Sequence, residues 1–134
     1  MSNEQYQHSE LTEKIIGAFY TVYNALGYGF LEKCYESAMV IELEKLGLSV
    51  EAQRPITVYY DGRVIGEYKA DIAVENSVIL ELKAARELAP EHKAQLLNYL
   101  RATPIEVGLL LNFGIRAEVQ RLTFNNERKS HLPK

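Results

Sequence analysis

The chain has 134 residues, 47% of them apolar and 25% charged, which are the proportions of one ordinary globular domain able to bury about two-thirds of its unfolded surface. A net charge of −3 argues against a broadly basic nucleic-acid binder, so any such contact has to come from a local patch. The single cysteine, Cys34, excludes an internal disulfide and fits a reducing cytoplasm. No apolar run approaches membrane-spanning length and no signal peptide precedes the first helical pattern, so the chain reads as a soluble, cytoplasmic protein.

Residues 1–8 are polar and read as a frayed end. Ser9 can cap a helix whose apolar stripe is Leu11, Ile15, Ala18, Phe19, Val22 and Leu26, ending near Gly27. After a short Gly-Tyr-Gly turn, a second helix is expected from about Leu31 to Leu46, closed by Gly47. Glu32 begins a stripe that continues through Tyr35, Met39, Leu43 and Leu46, so Glu32 is expected to lean inward with the apolar face. Burying a lone carboxylate is costly, so an inward acid suggests a paired or functional group. Glu36, one turn on, either shares that role or lies on the surface. Cys34, beside Leu31 and Ala38 on the helix, reads as a core residue.

Leu48 to Tyr60 reads as a strand, with Pro55 marking an edge or a break. Asp61-Gly62 is a two-residue hairpin signal returning the chain through Arg63 to Val74. A three-residue loop centred on Asn76 then leads into Val78 to Lys83. Both flanks of that loop alternate with period two, which pairs Val74 with Val78, Ile72 with Leu80 and Asp71 with Glu81. One face would carry Ala70, Ile72, Val74, Val78, Leu80 and Leu82; the other would carry Lys69, Asp71, Glu81 and Lys83 among Ala73 and Ile79. Pro90 suits the first turn of a helix to about Ala102, with His92, Gln95 and Tyr99 on one stripe beside Leu96, Leu97 and Leu100. His92 reads as part of a wet helix face. Val107 to Leu111 has the composition of a buried strand, set parallel to the Glu81 strand by a right-handed crossover, and Asn112-Phe113-Gly114 ends it. Glu118 to Phe124 alternates as a final edge strand. The basic tail from Asn125 to Lys134 reads as a disordered end or a weak phosphate contact. This is one α/β domain spanning residues 1–134, with an ordered core of about 9–124 and a mixed sheet.

The pairing of Asp71 with Glu81 carries a cost. Directly opposed residues hold their Cβ atoms ~5 Å apart, and at an effective dielectric of 20 two like charges at that spacing repel by roughly 3 kcal/mol before any nearby lysine offsets it. A divalent cation such as Mg²⁺, which takes one or two carboxylates plus water and phosphate oxygens, would remove the conflict. Lys83 follows two residues beyond Glu81, about 6.6 Å along the strand, within reach of the same water or phosphate. A solvated, salt-bridged sheet face accounts for the same residues equally well.

Asp71 followed by Glu81-Leu82-Lys83 resembles the metal-binding core of the PD-(D/E)XK nuclease superfamily. The stretch Gly29-Phe30-Leu31-Glu32-Lys33-Cys34-Tyr35 is similar to the signature of the GxxExxY protein family, which is grouped with that superfamily. The likeness extends from about Leu11 to Phe124. It implies an αβββαβ nuclease core with an additional N-terminal helix, and a Mg²⁺- or Mn²⁺-dependent phosphodiesterase acting on DNA or RNA. It further implies that Asp71 and Glu81 hold the metal, with Glu32 as a third acid or through water. Lys83 would then assist the attacking water, and Gln95 would place the substrate or a metal-bound water. Ala70 stands where the superfamily's naming motif has proline. The same resemblance also accommodates a non-catalytic module that binds nucleic acid or protein, and a subunit that acts as a homodimer or with a partner protein. Other chemistries lack their residues. There is no Gly-rich phosphate loop, no Cys/His zinc spacing and no Ser-His-Asp arrangement, and His8, His92 and His131 are scattered.

Overall fold

The computed structural model describes residues 7–129 and 132. Two helices, α1 (Ser9–Leu26) and α2 (Glu32–Lys45), precede three strands, β1 (Val50–Tyr60), β2 (Arg63–Val74) and β3 (Val78–Lys83). Helix α3 (Pro90–Ala102), strands β4 (Val107–Phe113) and β5 (Ala117–Thr123), and a 3₁₀ turn (Asn126–Arg128) follow. The five strands lie in the order β1-β2-β3-β4-β5. β1, β2 and β3 form an antiparallel meander, β4 runs parallel to β3, and β5 closes the far edge antiparallel to β4. The α3 crossover joins β3 and β4, the one parallel pairing of the sheet, which needs a connection of this length. Among the described residues, no helix is long and apolar enough to cross a membrane.

The helices cover both faces of the sheet. On one, Ile15, Phe19 and Val22 of α1 and Tyr35, Met39 and Leu43 of α2 pack on Ile72, Val74, Val78, Leu80 and Leu82, with Leu109, Leu111 and Phe113 of β4. On the other, Leu96 and Leu100 of α3 pack on Ile79, Leu110, Ile56 and Phe124. β4 is buried along its whole length, which is why its sequence, Asn112 apart, is apolar rather than alternating. Each large side chain buried in this way contributes roughly 1.5–3 kcal/mol. The approach of α3 to β4 is set by Gly108, where a Cβ would stand 2.7 Å from the Leu96 side chain.

Several local expectations give way to tertiary detail. The cap of α1 is His8, in the left-handed region, while Ser9 lies inside the first turn and its carbonyl accepts a hydrogen bond from Thr12 Oγ1 at 3.0 Å. Cys34 is exposed rather than buried, because Leu31, Cys34 and Ile41 line the side of α2 turned away from the sheet. Pro55 sits on the edge strand, as its missing amide demands, and Asp61 and Gly62 both take positive φ in the two-residue turn. β4 continues through Asn112 and Phe113 to a longer strand than the apolar run alone suggested. The start of the tail is folded. Lys129 is buried and its ammonium donates to the carbonyls of Thr103 and Ile105 at 2.7 and 2.9 Å, while Arg128 stands over the Phe124 ring. Residues 130, 131, 133 and 134 of the tail lie outside the described residues, as do residues 1–6.

Ala70 departs most informatively from the period-two reading. It packs with Ile56, Ile79 and Leu96 on the α3 side, not with Ile72 and Val74. The break falls between the pairs Ala52↔Ile72 and Arg54↔Ala70. There Gln53, at φ 55°, takes a left-handed conformation inside β1 and leaves the ladder opposite Asp71. Strict alternation across that point is therefore lost in both strands, and the outer part of the β1–β2 hairpin turns towards α3.

Candidate active site

The hairpin register is the expected one, with Val74↔Val78, Ala73↔Ile79 and Ile72↔Leu80 paired. Glu75 and Asn76 of its three-residue loop take positive φ, which lets the chain reverse between Val74 and Val78. At the next position the regular ladder stops, and the two acids replace it. The Asp71 amide donates to Glu81 Oε1 at 3.1 Å, and the Leu82 amide donates to Asp71 Oδ2 at 2.8 Å. Each carboxylate thus satisfies backbone on the opposite strand, and β2 and β3 are held apart by two side chains instead of a main-chain pair. The repulsion anticipated from the sequence is met partly by these bonds and partly by protonation.

Glu81 is only 3% exposed. Burial, and then the neighbouring Asp71 charge, push its carboxyl up to about 8, against a smaller lowering by the Asp71 amide and Lys83. Asp71 is also raised, by burial first, with the Leu82 amide and a side-chain hydrogen bond to Glu81 opposing. Near neutrality the two acids therefore share a proton. A buried carboxyl held in its protonated form beside a half-buried one marks a site short of positive charge.

Lys83 stands at the end of β3 with its Nζ donating to Gln95 Oε1 at 3.2 Å. Gln95 Nε2 in turn donates to the Tyr99 hydroxyl at 3.3 Å. Tyr99, on the buried side of α3, has its phenol raised by burial and by the charge of Glu81. Asp71, Glu81, Lys83 and Gln95 are therefore gathered at one place, and Tyr99 joins them. Tyr99 stands out in the sequence only by sharing the Gln95 stripe. Lys69 is exposed, and the cation acting on both acids is Lys83.

Glu32 is not gathered in. It is exposed at the first residue of α2, and the buried acid of this helix is Glu36, 7% exposed. Glu36 is close enough to Asp71 to raise its pKa. It is held by Lys33 Nζ at 3.2 Å and by Gln53 Nε2 at 2.6 Å, so the left-handed residue opposite Asp71 also positions the third acid. The stripe of Tyr35, Met39 and Leu43 is buried as expected, but its ends, Glu32 and Leu46, are both exposed. Tyr35 serves as a structural pin. Its hydroxyl donates to the Gly27 carbonyl at 2.6 Å and accepts the Phe30 amide at 3.2 Å, and its ring stacks on Phe113 at 4.2 Å. His92 does not face water freely. Its Nδ1 accepts the Ala89 amide at 3.0 Å and caps α3.

The connection from β3 to α3 is fixed by Asn112, which is fully buried. Its amide group exchanges two hydrogen bonds with the Ala85 backbone, at 2.9 and 3.0 Å, and donates to Glu118 at 2.9 Å. Gly114 permits the approach, since a Cβ there would lie 2.1 Å from the Ala85 carbonyl oxygen. These contacts hold the chain just beyond Lys83 and so bear on the alignment of Lys83 with Gln95.

The chemistry of the donor set suits a hard divalent cation. Two carboxylates meet at a charge-deficient point, and Mg²⁺ commonly takes one or two carboxylates and completes its shell with water. Among the described residues, no group of three or more His, Cys, Asp or Glu side chains is gathered into a metal cage.

A mixed sheet with a paired acid and Glu-x-Lys at its centre, flanked by helices on both faces, defines an α/β domain of the nuclease-like class. Residues 9–122 match the family model of the PD-(D/E)XK nuclease superfamily, and the chain belongs to that superfamily. No curated protein matches the sequence. Among solved structures the chain resembles one described as "Crystal structure of SSO0001", with 22% identity and a TM-score of 0.54. That likeness covers 90% of this chain and 61% of the other, so this chain spans under two-thirds of its neighbour's length. At this identity the likeness concerns the fold.

Proposed function

We propose that the protein is a Mg²⁺- or Mn²⁺-dependent nuclease that hydrolyses phosphodiester bonds in DNA or RNA. The observation that carries the reading is the pair of half-buried Asp71 and buried Glu81, each bonded to backbone of the other's strand, with Lys83 directly beyond it. Asp71 and Glu81 would hold the ion, and Glu36, rather than Glu32, is the helix acid near enough to act on that pair. A divalent ion bound there would polarise a phosphate and lower the pKa of water. Lys83, oriented by Gln95, presents an ammonium to the attacking water or to the charge developing on the phosphate. Gln95 bridges Lys83 and Tyr99 and so directs that ammonium. Within the superfamily we place the chain in the GxxExxY family. Gly29 has φ 112°, Tyr35 locks the loop that Gly29 shapes, and Glu32 opens the helix that presents Glu36.

The test is cleavage of single-stranded, duplex and structured oligonucleotides by purified protein with Mg²⁺ or Mn²⁺. Wild type should cut at least one of them, and Lys83→Ala should abolish cutting while leaving the melting curve and circular dichroism unchanged. Unchanged cutting by Lys83→Ala would refute the mechanism. Because Glu36 is bound by Lys33 and Gln53, a second reading is a nuclease fold retained as a binding module. Nucleic-acid binding without cleavage of any substrate under any divalent ion would establish that reading instead.

A further inference from the structure

Beside the acid pair, a cavity of about 540 Å³ opens between α3 and the outer half of the β1–β2 hairpin. Its size is within the range of small-ligand sites. Its walls combine Val58, Tyr68 and Tyr99 with the amides of Gln95 and Asn98, and Arg101 lies at the end of α3. Gln95 lines the cavity with one side and receives Lys83 with its carbonyl, so cavity and candidate catalytic lysine are separated by one side chain.

We propose that this cavity is a subsite for one unpaired nucleobase, so that the site takes single-stranded or locally unpaired nucleic acid in preference to continuous duplex. The position of the phosphate in this arrangement rests on the nuclease reading; the base subsite stands on its own chemistry. Tyr68 is 54% exposed, and its ring is tilted 44° to that of Tyr99, with centroids 6.2 Å apart. A tilted pair at that distance has no room for a base between the rings, so the base stacks on the open face of Tyr68. Gly66 also lines the cavity and lets the Tyr68 ring lie close to the strand, since a Cβ there would come within 3.0 Å of the ring and push it by a few tenths of an ångström. Asn98, exposed on α3, offers an amide donor and acceptor to a base edge, and its Oδ1 already accepts Arg101 Nη1 at 3.4 Å, which brings a cation to the same wall. Glu91 also lines the cavity and disfavours a phosphate at its end of it. Aromatic faces joined to amides and an arginine are the elements that recognise splayed-out bases in single strands. In a duplex the bases remain stacked on one another and cannot enter.

The test is binding of the full chain, in chelator so that no cutting intervenes, to fluorescently labelled oligothymidylate, to the same strand made abasic, and to a blunt duplex of equal length. Wild type should prefer the strand with bases. Tyr68→Ala should weaken that binding by about 5- to 150-fold, the range for loss of one stacked base, and leave duplex and abasic binding unchanged. Tyr68→Phe should restore it, which a merely misfolded alanine variant would not explain. Asn98→Ala, on an exposed helix face, should weaken base-dependent binding while the duplex is unaffected. Equal binding of abasic and base-bearing strands, or equal loss on strand and duplex in Tyr68→Ala, would overturn the subsite. Cleavage with Mg²⁺ alongside either result would leave the nuclease reading intact. Base-dependent binding with no cleavage would sink the nuclease reading and leave the subsite standing.

Discussion

Replacing Glu81 by glutamine tests the proton-sharing pair without needing a substrate. In the metal-free protein Glu81 has its carboxyl raised from 4.5 to about 8, chiefly by burial. Below about 4.5 the group is protonated in both folded and unfolded chains and does not affect their balance. Between 4.5 and about 8 the unfolded chain has released the proton that the folded chain still holds, so folding takes up a proton and rising pH disfavours it. The loss is roughly 1.4 kcal/mol per pH unit at its steepest, and it stops above about 8, where both states are ionised. Asp71, raised in the same direction, adds to the slope. Glu81→Gln keeps a carbonyl for the Asp71 amide and supplies an amide donor towards the Asp71 carboxylate, which imitates the protonated acid at every pH. Denaturant unfolding in chelator should therefore show wild type losing several kcal/mol between pH 5 and about 8. The variant should show a much flatter profile, equal stability near pH 5 and clearly higher stability at pH 8. Adding Mg²⁺ should raise wild type more steeply at high pH, since the ion must displace the proton, and should leave Glu81→Gln almost unmoved. A wild-type stability that is flat or rises from pH 5 to 8 in chelator, or an equal slope in the variant, would refute the buried shared proton.

Other outcomes follow from the same contacts. Asp71→Asn removes one charge of the pair, so it should melt higher than wild type in chelator, within the ~1 kcal/mol typical of a point change. Saturating Mg²⁺ should reverse that order, because metal at a hundredfold excess over its dissociation constant stabilises an intact site by about 2.7 kcal/mol. Glu36→Gln should weaken calorimetric metal binding and any cleavage, whereas Glu32→Gln at the exposed start of α2 should change neither; the reverse ranking would restore Glu32 to the site. Tyr35→Phe leaves the Gly27 carbonyl and the Phe30 amide without their partner and should cost about 1–3 kcal/mol in unfolding experiments. Gly114→Ala has to displace the Ala85 carbonyl, and it should lower stability by about 1–3 kcal/mol. It should also disturb Lys83–Gln95 alignment, read as shifts of the Gln95 side-chain amide signals.

Much of this protein is determined by local pattern. The register around Asn76 was legible because a period-two strand slipped by one residue would bury its charges, and the loop Glu75-Asn76-Ser77 accepts the positive φ that this register requires. The central placement of β4 followed from an apolar run too uniform for a half-exposed strand, and the helical connection through α3 allows its parallel pairing with β3. Those two facts put Asp71, Glu81 and Lys83 beside α3, where Gln95 meets them. The choice between Glu32 and Glu36 was not local. Four residues on a helix differ by only about 40° in direction, so both acids fit the stripe of Tyr35, Met39 and Leu43. Which one is buried depends on where the sheet lies beneath α2, and the Glu36 contacts come from Lys33 and from Gln53 on β1. Ala70 was misplaced for a related reason. Alternation assumes a continuous strand, and the left-handed Gln53 interrupts it from across the ladder, at a residue whose sequence carries no glycine or asparagine to announce the turn. The cavity beside Tyr68 lies where the part of the hairpin beyond that interruption meets α3. Periodicity fixes which residues share an element's face; the contact that bends the strand, and so decides what two faces enclose, forms only between elements distant in the chain.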